Sequence, residues 1–124
     1  MHLACRDVIR ELLPVADSFE SAFNDREIWS KIDSKLREGI EQIYKQLIQI
    51  FERYHVAAIE AKDKEFNPAE HESVGETEVN DEKLDKIVTE EIQKGYKIRN
   101  QVVRPAKVKV GVYKNNLKII INKA

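Results

Sequence analysis

Hydrophobic residues in the first half of the chain recur at helical spacing in two stretches. In residues 3–23 they fall three or four positions apart, as on one face of an α-helix. Pro14 lies inside this stretch, so it either begins a new helix or kinks a continuous one. Residues 24–26 interrupt the pattern, and a second amphipathic helix is predicted over residues 28–54.

The second predicted helix carries a nearly heptad apolar row, Leu36, Ile40, Ile43, Leu47, Ile50 and Tyr54. Two helices of this kind present more apolar surface than one hairpin can cover. We therefore expect a symmetric dimer that completes a four-helix bundle. The alternative is that the helices pack on the C-terminal part of the same chain. Gly39 interrupts the helix at a cost of about 1 kcal/mol relative to Ala, which points to close approach by another backbone.

The last third of the chain alternates hydrophobic and polar residues with a period of two. The apolar positions are Ala106, Val108, Val110 and Val112, and Lys107, Lys109 and Gly111 lie between them. This alternation is typical of a half-buried antiparallel strand. Tyr96 and Ile98 predict a shorter strand upstream, and residues 99–101 can turn the chain towards the next one. Pro105 cannot donate a ladder hydrogen bond, so it indicates an edge or a bulge.

The segment between these regions gives weaker signals. Residues 56–59 fit a short strand, and residues 74–79 fit an exposed one. A turn of helix is predicted at residues 65–71, because Asn67 is a good N-cap, Pro68 suits the first helical position and Glu70 can close a capping box. Residues 84–92 fit either a helix or a strand. Residues 115–124 could form an extra strand or a loose end.

Composition limits the class of protein. With 124 residues, the chain is one domain or one small domain carried on a helical stalk. The formal net charge is −1, but acids dominate residues 60–91 and residues 94–124 contain none. A single cysteine excludes an internal disulfide and fits a reducing compartment, and no apolar run has the length of a membrane span. We therefore expect a soluble, cytoplasmic protein.

Residues suited to catalysis or metal binding are few. Cys5, His55 and His71 lie far apart, without the spacing of a known metal motif, and we interpret His71 as structural. No glycine-rich phosphate loop is present, so we expect no cofactor, no metal and no enzymatic activity. Tyr96 and Tyr113 among the C-terminal lysines permit a nucleic-acid-binding hypothesis. The acidic middle segment opposes it.

Five short segments together resemble a known family. They are residues 12–18 (Leu-Leu-Pro-Val-Ala-Asp-Ser), residues 38–40 (Glu-Gly-Ile), Phe66-Asn67-Pro68 with His71-Glu72, residues 93–96 (Gln-Lys-Gly-Tyr) and residues 104–110 (Arg-Pro-Ala-Lys-Val-Lys-Val). In this order and with these spacings the chain resembles the GrpE family, the nucleotide exchange factors of DnaK-type heat-shock chaperones. The resemblance covers nearly the whole chain.

The resemblance implies an α+β protein with an N-terminal helical hairpin that forms a dimeric four-helix bundle, and a small all-β wing. The corresponding regions are residues 1–55 for dimerisation, residues 56–114 for the wing and residues 115–124 for a C-terminal tail. The implied function is to bind the nucleotide-binding domain of a DnaK-type chaperone and to promote ADP release. A homodimer is implied, with no membrane or nucleic-acid partner.

The resemblance also implies contact residues. Those expected to bind the chaperone are Gly39, Phe66, Asn67, Pro68, Ile92, Gly95, Tyr96, Arg104 and Pro105. Those expected at the dimer interface are Leu36, Ile40, Ile43, Leu47 and Ile50. From the residues alone, Ile92 and Tyr96 could equally be core residues, and Arg104 could pair within the wing. For Phe66 and Pro68, an exposed turn favours contact with the partner over a place in the core.

The chain also departs from the family pattern. Gln101 stands where the family often has arginine, Ser73 where it has a small alanine and Ser21 where a basic residue is common. Almost all of the family's long N-terminal coiled coil is missing, so the chain could be a fragment. An alternative function is therefore a dimeric, chaperone-binding scaffold without exchange activity.

Overall fold

The computed structural model describes residues 2–114, and the side chains from residue 5 onward. Three helices come first: α1 (His2–Asn24), α2 (Arg26–Lys31) and α3 (Ser34–Arg53). Pro14 lies inside α1, which continues through it. Among the described residues, none of these helices is long and apolar enough to span a membrane.

The single helix predicted over residues 28–54 is wrong, because the chain divides it into α2 and α3. The Asp33 carboxylate accepts a hydrogen bond from the Lys35 backbone N–H at 3.2 Å and so caps the start of α3. Asp25 caps α2 in the same way, accepting from the Ile28 N–H at 3.1 Å. An aspartate that bonds to the backbone ahead of it favours a new helix start over continuation of the old helix.

Up to residue 114, six strands follow: β1 (Val56–Ala58), β2 (His71–Val79), β3 (Val88–Gln93), β4 (Tyr96–Ile98), β5 (Gln101–Arg104) and β6 (Ala106–Tyr113). They form two three-stranded sheets, in the orders β1-β4-β5 and β2-β6-β3. A short 3-10 turn, Glu82–Leu84, precedes β3. The α+β class is therefore confirmed, and the ambiguous residues 84–92 end in a strand.

The described residues fall into two compact units. The first, called here the helical unit, comprises residues 2–57 and 97–103, and the second, the β unit, comprises residues 58–96 and 104–114. In the helical unit, Leu13 and Ala16 are fully buried, and an aromatic cluster joins the helices. Phe23 lies 5.0 Å from Trp29 and 5.2 Å from Tyr44 between ring centroids.

Strand β6 forms the centre of the β unit. Val108 on β6 and Val88 on β3 are both fully buried, together with Ala61 and Ala106. The strand pairs antiparallel with β3, as its alternation predicted. It also pairs parallel with β2, a pairing that the alternation did not predict. Because it has a neighbour on each side, β6 is a central strand. Pro105 lies outside it, between the end of β5 and the start of β6, so its missing N–H interrupts neither strand.

The acidic segment, residues 60–91, and the basic segment that follows it lie side by side in the β unit. Glu72 on β2 lies opposite Lys107 on β6, and Glu90 on β3 lies opposite Lys109. The Lys109 Nζ is 3.7 Å from a carboxylate oxygen of Glu90. The opposite charges therefore offset one another in space, and this weakens the hypothesis of a basic nucleic-acid-binding surface.

Three further predictions concern shorter segments. The turn predicted at residues 65–71 is present as one hydrogen-bonded turn after Asn67, and it does not extend into a longer helix because β2 begins at His71. Strand β1 lies where residues 56–59 predicted a strand. The predictions for the tail, residues 115–124, fall outside the described residues.

Candidate partner-binding surface

The turn that begins at Asn67 is held by its own backbone and by His71. The Asn67 carbonyl accepts hydrogen bonds from the N–H groups of Glu70 at 3.0 Å and His71 at 2.8 Å. The Asn67 side-chain oxygen accepts from the Ala69 N–H at 3.0 Å. Asn67 therefore caps a turn, as predicted, and leaves Pro68 exposed at its tip.

His71 takes the place that was predicted for Glu70 in closing the turn. The Asn67 N–H donates to the His71 Nδ1 at 3.0 Å, so Nδ1 must be unprotonated. His71 is 5 % exposed, and this burial lowers the pKa of its imidazole, although the charge of Glu70 acts in the opposite direction. A neutral imidazole that accepts this bond has the structural role inferred from the sequence.

Phe66 lies on the core side of this turn. Its ring is half-buried against the cluster that includes Val88 and Val108, and it stacks on His71 with 5.8 Å between ring centroids. The sequence favoured partner contact for Phe66. The structure gives it a packing role as well, since a ring that supports the turn also fixes the position of Pro68.

Four of the predicted contact residues are brought together where β4 begins and β5 ends. A Cβ atom on Gly95 would overlap the Ala106 backbone nitrogen and would lie 2.7 Å from the Pro105 carbonyl carbon. Any side chain at this position would therefore displace the backbone. Tyr96 is only 3 % exposed, and the Arg104 guanidinium lies 5.5 Å from its ring centroid.

Arg104 is bound within the β unit. Its Nε donates to the Lys94 carbonyl oxygen at 3.1 Å, and its Nη2 donates to the same oxygen. Tyr96 is buried and Arg104 is hydrogen-bonded within the β unit, whereas Ile92 is 49 % exposed on β3. Partner contact by these three residues stays a prediction. Among the predicted contacts of the β unit, Asn67, Pro68 and Ile92 are the exposed residues.

Val74 is 47 % exposed on β2 and is not among the predicted contacts. The pairing of β2 with β6 shifts register between Ser73 and Gly75, so a bulge lies at Val74. A bulge redirects side chains on the strand that carries it. The weak alternation of residues 74–79 gave no sign of it, because a bulge depends on the partner strand.

The residues predicted at the dimer interface lie on α3 with unequal exposure. Leu36 is 58 % exposed, Ile43 55 % and Ile50 39 %, and these three are seven residues apart. Ile40 and Leu47 are half-buried. We call Leu36, Ile43 and Ile50 the heptad row of α3.

Gly39 lies on the exposed surface of α3. A Cβ atom added there would meet no atom within 4 Å. Packing among the described residues therefore gives no reason for a glycine at this position, and the expectation of a partner contact stays a prediction. Among the residues that the structure describes, no group of His, Cys, Asp and Glu side chains could hold a metal ion.

Comparison with known proteins places these features in a family. The GrpE family profile matches residues 1–112. The chain is 40% identical over 109 residues to Protein GrpE of Brevibacillus choshinensis, covering 86% of this chain and 59% of that protein. It is 44% identical over 108 residues to Protein GrpE of Lachnoclostridium phytofermentans, covering 87% of this chain and 47% of that protein. The corresponding identity with Protein GrpE of Bacillus subtilis is 40% over 106 residues, covering 85% of this chain and 55% of that protein.

The chain belongs to the GrpE family. It spans about half the length of the curated relatives it matches.

Proposed function

We propose that the chain is a co-chaperone that binds the nucleotide-binding domain of a DnaK-type chaperone and promotes release of ADP. The observation that carries this proposal is the family match across residues 1–112, because it includes the helices and every strand except the end of β6. The reducing cytoplasm suits a chain with one exposed cysteine, and we propose it as the site of action.

The contact surface proposed on the β unit combines exposed apolar side chains with a rigid support. Ile92 and Pro68 are exposed, while the elements that carry them are fixed by the buried Val88 core and by the capped turn at Asn67. An apolar contact on a preorganised backbone loses little conformational entropy on binding. Such a surface suits a factor that must hold one conformation of its partner.

Exchange follows from a preference between two states of the chaperone. If the β unit binds the open, nucleotide-free state more tightly than the ADP-bound closed state, binding shifts the chaperone towards the open state. ADP then dissociates faster, and no chemistry on the factor is required. Linkage demands that ADP weaken the factor's binding by the same ratio.

We also propose that the chain works as a homodimer through the heptad row of α3. Apolar residues seven apart on an exposed helix face are typical of a helix that packs against another. Val8 and Val15 on α1 are likewise seven apart and are 57 % and 44 % exposed. A second copy would cover both rows and complete a four-helix bundle.

Stopped-flow fluorescence tests the exchange activity. A DnaK-type chaperone loaded with a fluorescent ADP analogue is mixed with excess ATP and increasing amounts of the chain. The release rate is expected to rise with concentration and reach a plateau. Chaperone binding without faster release would instead support a scaffold that has lost exchange activity.

A matched pair of variants connects the activity to the proposed surface. Ile92→Ala is expected to lower the apparent affinity for the chaperone, and Leu84→Ala is the control because Leu84 is similarly exposed, at 44 %, but is not a predicted contact. Unchanged circular dichroism establishes that both variants fold. Equal loss in both variants would remove Ile92 from the proposed surface.

A further inference from the structure

A groove in the helical unit includes none of the residues predicted to bind the chaperone or to form the dimer interface. Its volume is about 690 Å³, within the range of small-molecule sites. Helix α1 contributes Cys5, Arg6 and Ile9. The remaining lining comes from the end of α3 and the two residues after it, and from β4, β5 and the turn between them. We call it the hairpin groove.

The lining of the hairpin groove combines apolar surface with positive charge. Ile9 and Val103 are buried beside it, so part of its wall is apolar. Arg6, Arg53 and Arg99 also line it, and none of the described lining residues is an aspartate or glutamate. A ligand that matches this lining carries an apolar body and an acidic group.

Arg6 is the least solvated of the three arginines, since it is half-buried whereas Arg53 and Arg99 are exposed. Its Nη2 donates to the Val102 carbonyl oxygen at 2.8 Å, and its Nη1 reaches the Gln101 side-chain oxygen at 3.5 Å. Its Nε is buried and has no acceptor among the described residues. Within residues 5–114, no carboxylate is bonded to its guanidinium, and a partly buried charge is screened less than an exposed one.

The rim of the groove is held in an uncommon backbone conformation. His55 has φ 62° and Arg99 has φ 54°, both in the left-handed region that non-glycine residues rarely adopt. The Arg99 N–H donates to the His55 carbonyl oxygen at 3.1 Å, so the two residues hold each other in place. Such residues cluster at ligand sites, where the local backbone is fixed before binding.

We propose that the hairpin groove binds a small amphipathic anion, an aliphatic or aromatic body that carries one carboxylate or sulfonate group. The apolar body packs against Ile9 and Val103, and the acidic group lies near Arg6 and Arg99. Charge complementarity and the volume of the groove favour this ligand class over a second copy of the chain. The inference does not depend on the proposed exchange activity.

The only cysteine of the chain supplies a direct probe, because Cys5 is exposed and lines the groove. The rate at which the full chain reacts with dithiodipyridine, an uncharged disulfide reagent, is measured while decanoate is added below its micelle-forming concentration. Decanoate is expected to slow the reaction in a saturable manner. Decanol has the same chain length without the charge and is expected to protect Cys5 at least about tenfold less effectively, a difference typical of one charge-assisted hydrogen bond.

A matched pair of variants locates the acidic group. Arg99→Asn removes the charge while keeping a residue that tolerates the left-handed backbone, and it is expected to weaken decanoate protection about tenfold. Lys35→Gln removes an exposed cation of the same unit that does not line the groove, and it is expected to change nothing. Fluorescence of anilinonaphthalene sulfonate, displaced by decanoate, gives an independent readout for both variants.

Four results would overturn the proposal. Equal protection by decanol would show that the groove is merely apolar, and absence of protection at saturating decanoate would show that it is not a site. Reactivity of Cys5 that falls with protein concentration, without any effect of decanoate, would identify a second copy as the occupant. Protection by an acidic peptide but not by decanoate would assign the groove to a protein partner.

Discussion

The two units of the molecule differ in how much of their hydrophobic surface is buried. The β unit buries Val88, Val108 and Ala106 completely, so its central sheet has a core of its own. In the helical unit, the 20-residue helix α3 buries only Phe51 and leaves its heptad row exposed. An exposed apolar row costs solubility unless something covers it. The β unit therefore has a core within one chain, and the homodimer proposed above would cover the exposed apolar row of the helical unit.

The largest expected effect on stability is that of a glycine-to-alanine substitution in the β unit, compared with the same substitution in the helical unit. Gly95→Ala would force a Cβ atom into the Pro105–Ala106 backbone, and we expect a loss of about 3 kcal/mol or more in the free energy of unfolding. Gly39→Ala meets no atom within 4 Å, and we expect a gain of about 0.5–1 kcal/mol because alanine favours the helix. Urea unfolding of both variants measures the difference. Similar values for the two would show that the contrast between the units is wrong.

A second prediction concerns the heptad row of α3. Ile43→Glu places a charge in the centre of the row, and we expect self-association to weaken at least about 100-fold because the interface would bury an unpaired carboxylate. Gln46→Glu is the matched control, since it adds the same charge at an exposed polar position of the same helix. Sedimentation at several concentrations measures both. A monomeric wild-type chain, or equal weakening by the control, would contradict the role of the row.

Part of this fold could be predicted from local pattern. The alternation of residues 106–112 predicted β6 because one face of the strand remains against the core, with Val108 buried and Lys107 exposed. The parallel partner β2 could not be predicted, since pairing between distant strands depends on the whole unit. The break between α2 and α3 was not predicted because the helical spacing of apolar residues continues across it. The break depends on the Asp33 carboxylate, which accepts a hydrogen bond from the Lys35 N–H and so begins a new helix.

The candidate site shows the same limit. Ile92 and Tyr96 are both hydrophobic residues near strand ends, and the sequence could not separate them. Tyr96 is 3 % exposed and its ring contacts the Arg104 guanidinium, whereas Ile92 is 49 % exposed. The contact joins residues eight positions apart and depends on the fold. The resemblance supplied the predicted contact residues, and the structure shows which of them are buried and which are exposed.

A smaller effect is expected at the turn of the β unit. Asn67→Ala removes the side-chain oxygen that accepts from the Ala69 N–H, and we expect a loss of about 1 kcal/mol. Asp81→Ala removes the comparable acceptor before the 3-10 turn, where the Asp81 carboxylate accepts from the Lys83 N–H at 2.9 Å. If the Asn67 turn also positions Pro68, only Asn67→Ala should lower the affinity for the chaperone. Thermal unfolding and chaperone binding measure the two readouts.

The smallest predicted effect is a dependence of stability on pH. Burial lowers the pKa of His71 in the folded state below the ordinary value of 6.5, so the unfolded chain binds more protons just below that pH. The free energy of unfolding should therefore fall as the pH drops below about 6.5. Above that pH, His71 is neutral in both states and should cause no dependence of stability on pH. His71→Gln keeps an acceptor for the Asn67 N–H without the titration, and it should flatten this part of the profile. An unchanged profile would show that His71 is not responsible.

Thermodynamic linkage tests the central functional claim most directly. The dissociation constant of the chain from a DnaK-type chaperone is measured with and without saturating ADP, and that of ADP with and without saturating chain. We expect ADP to weaken binding of the chain about 5–150-fold, and the chain to weaken binding of ADP by the same factor. A dissociation constant for the chain that is unaffected by ADP would contradict the account.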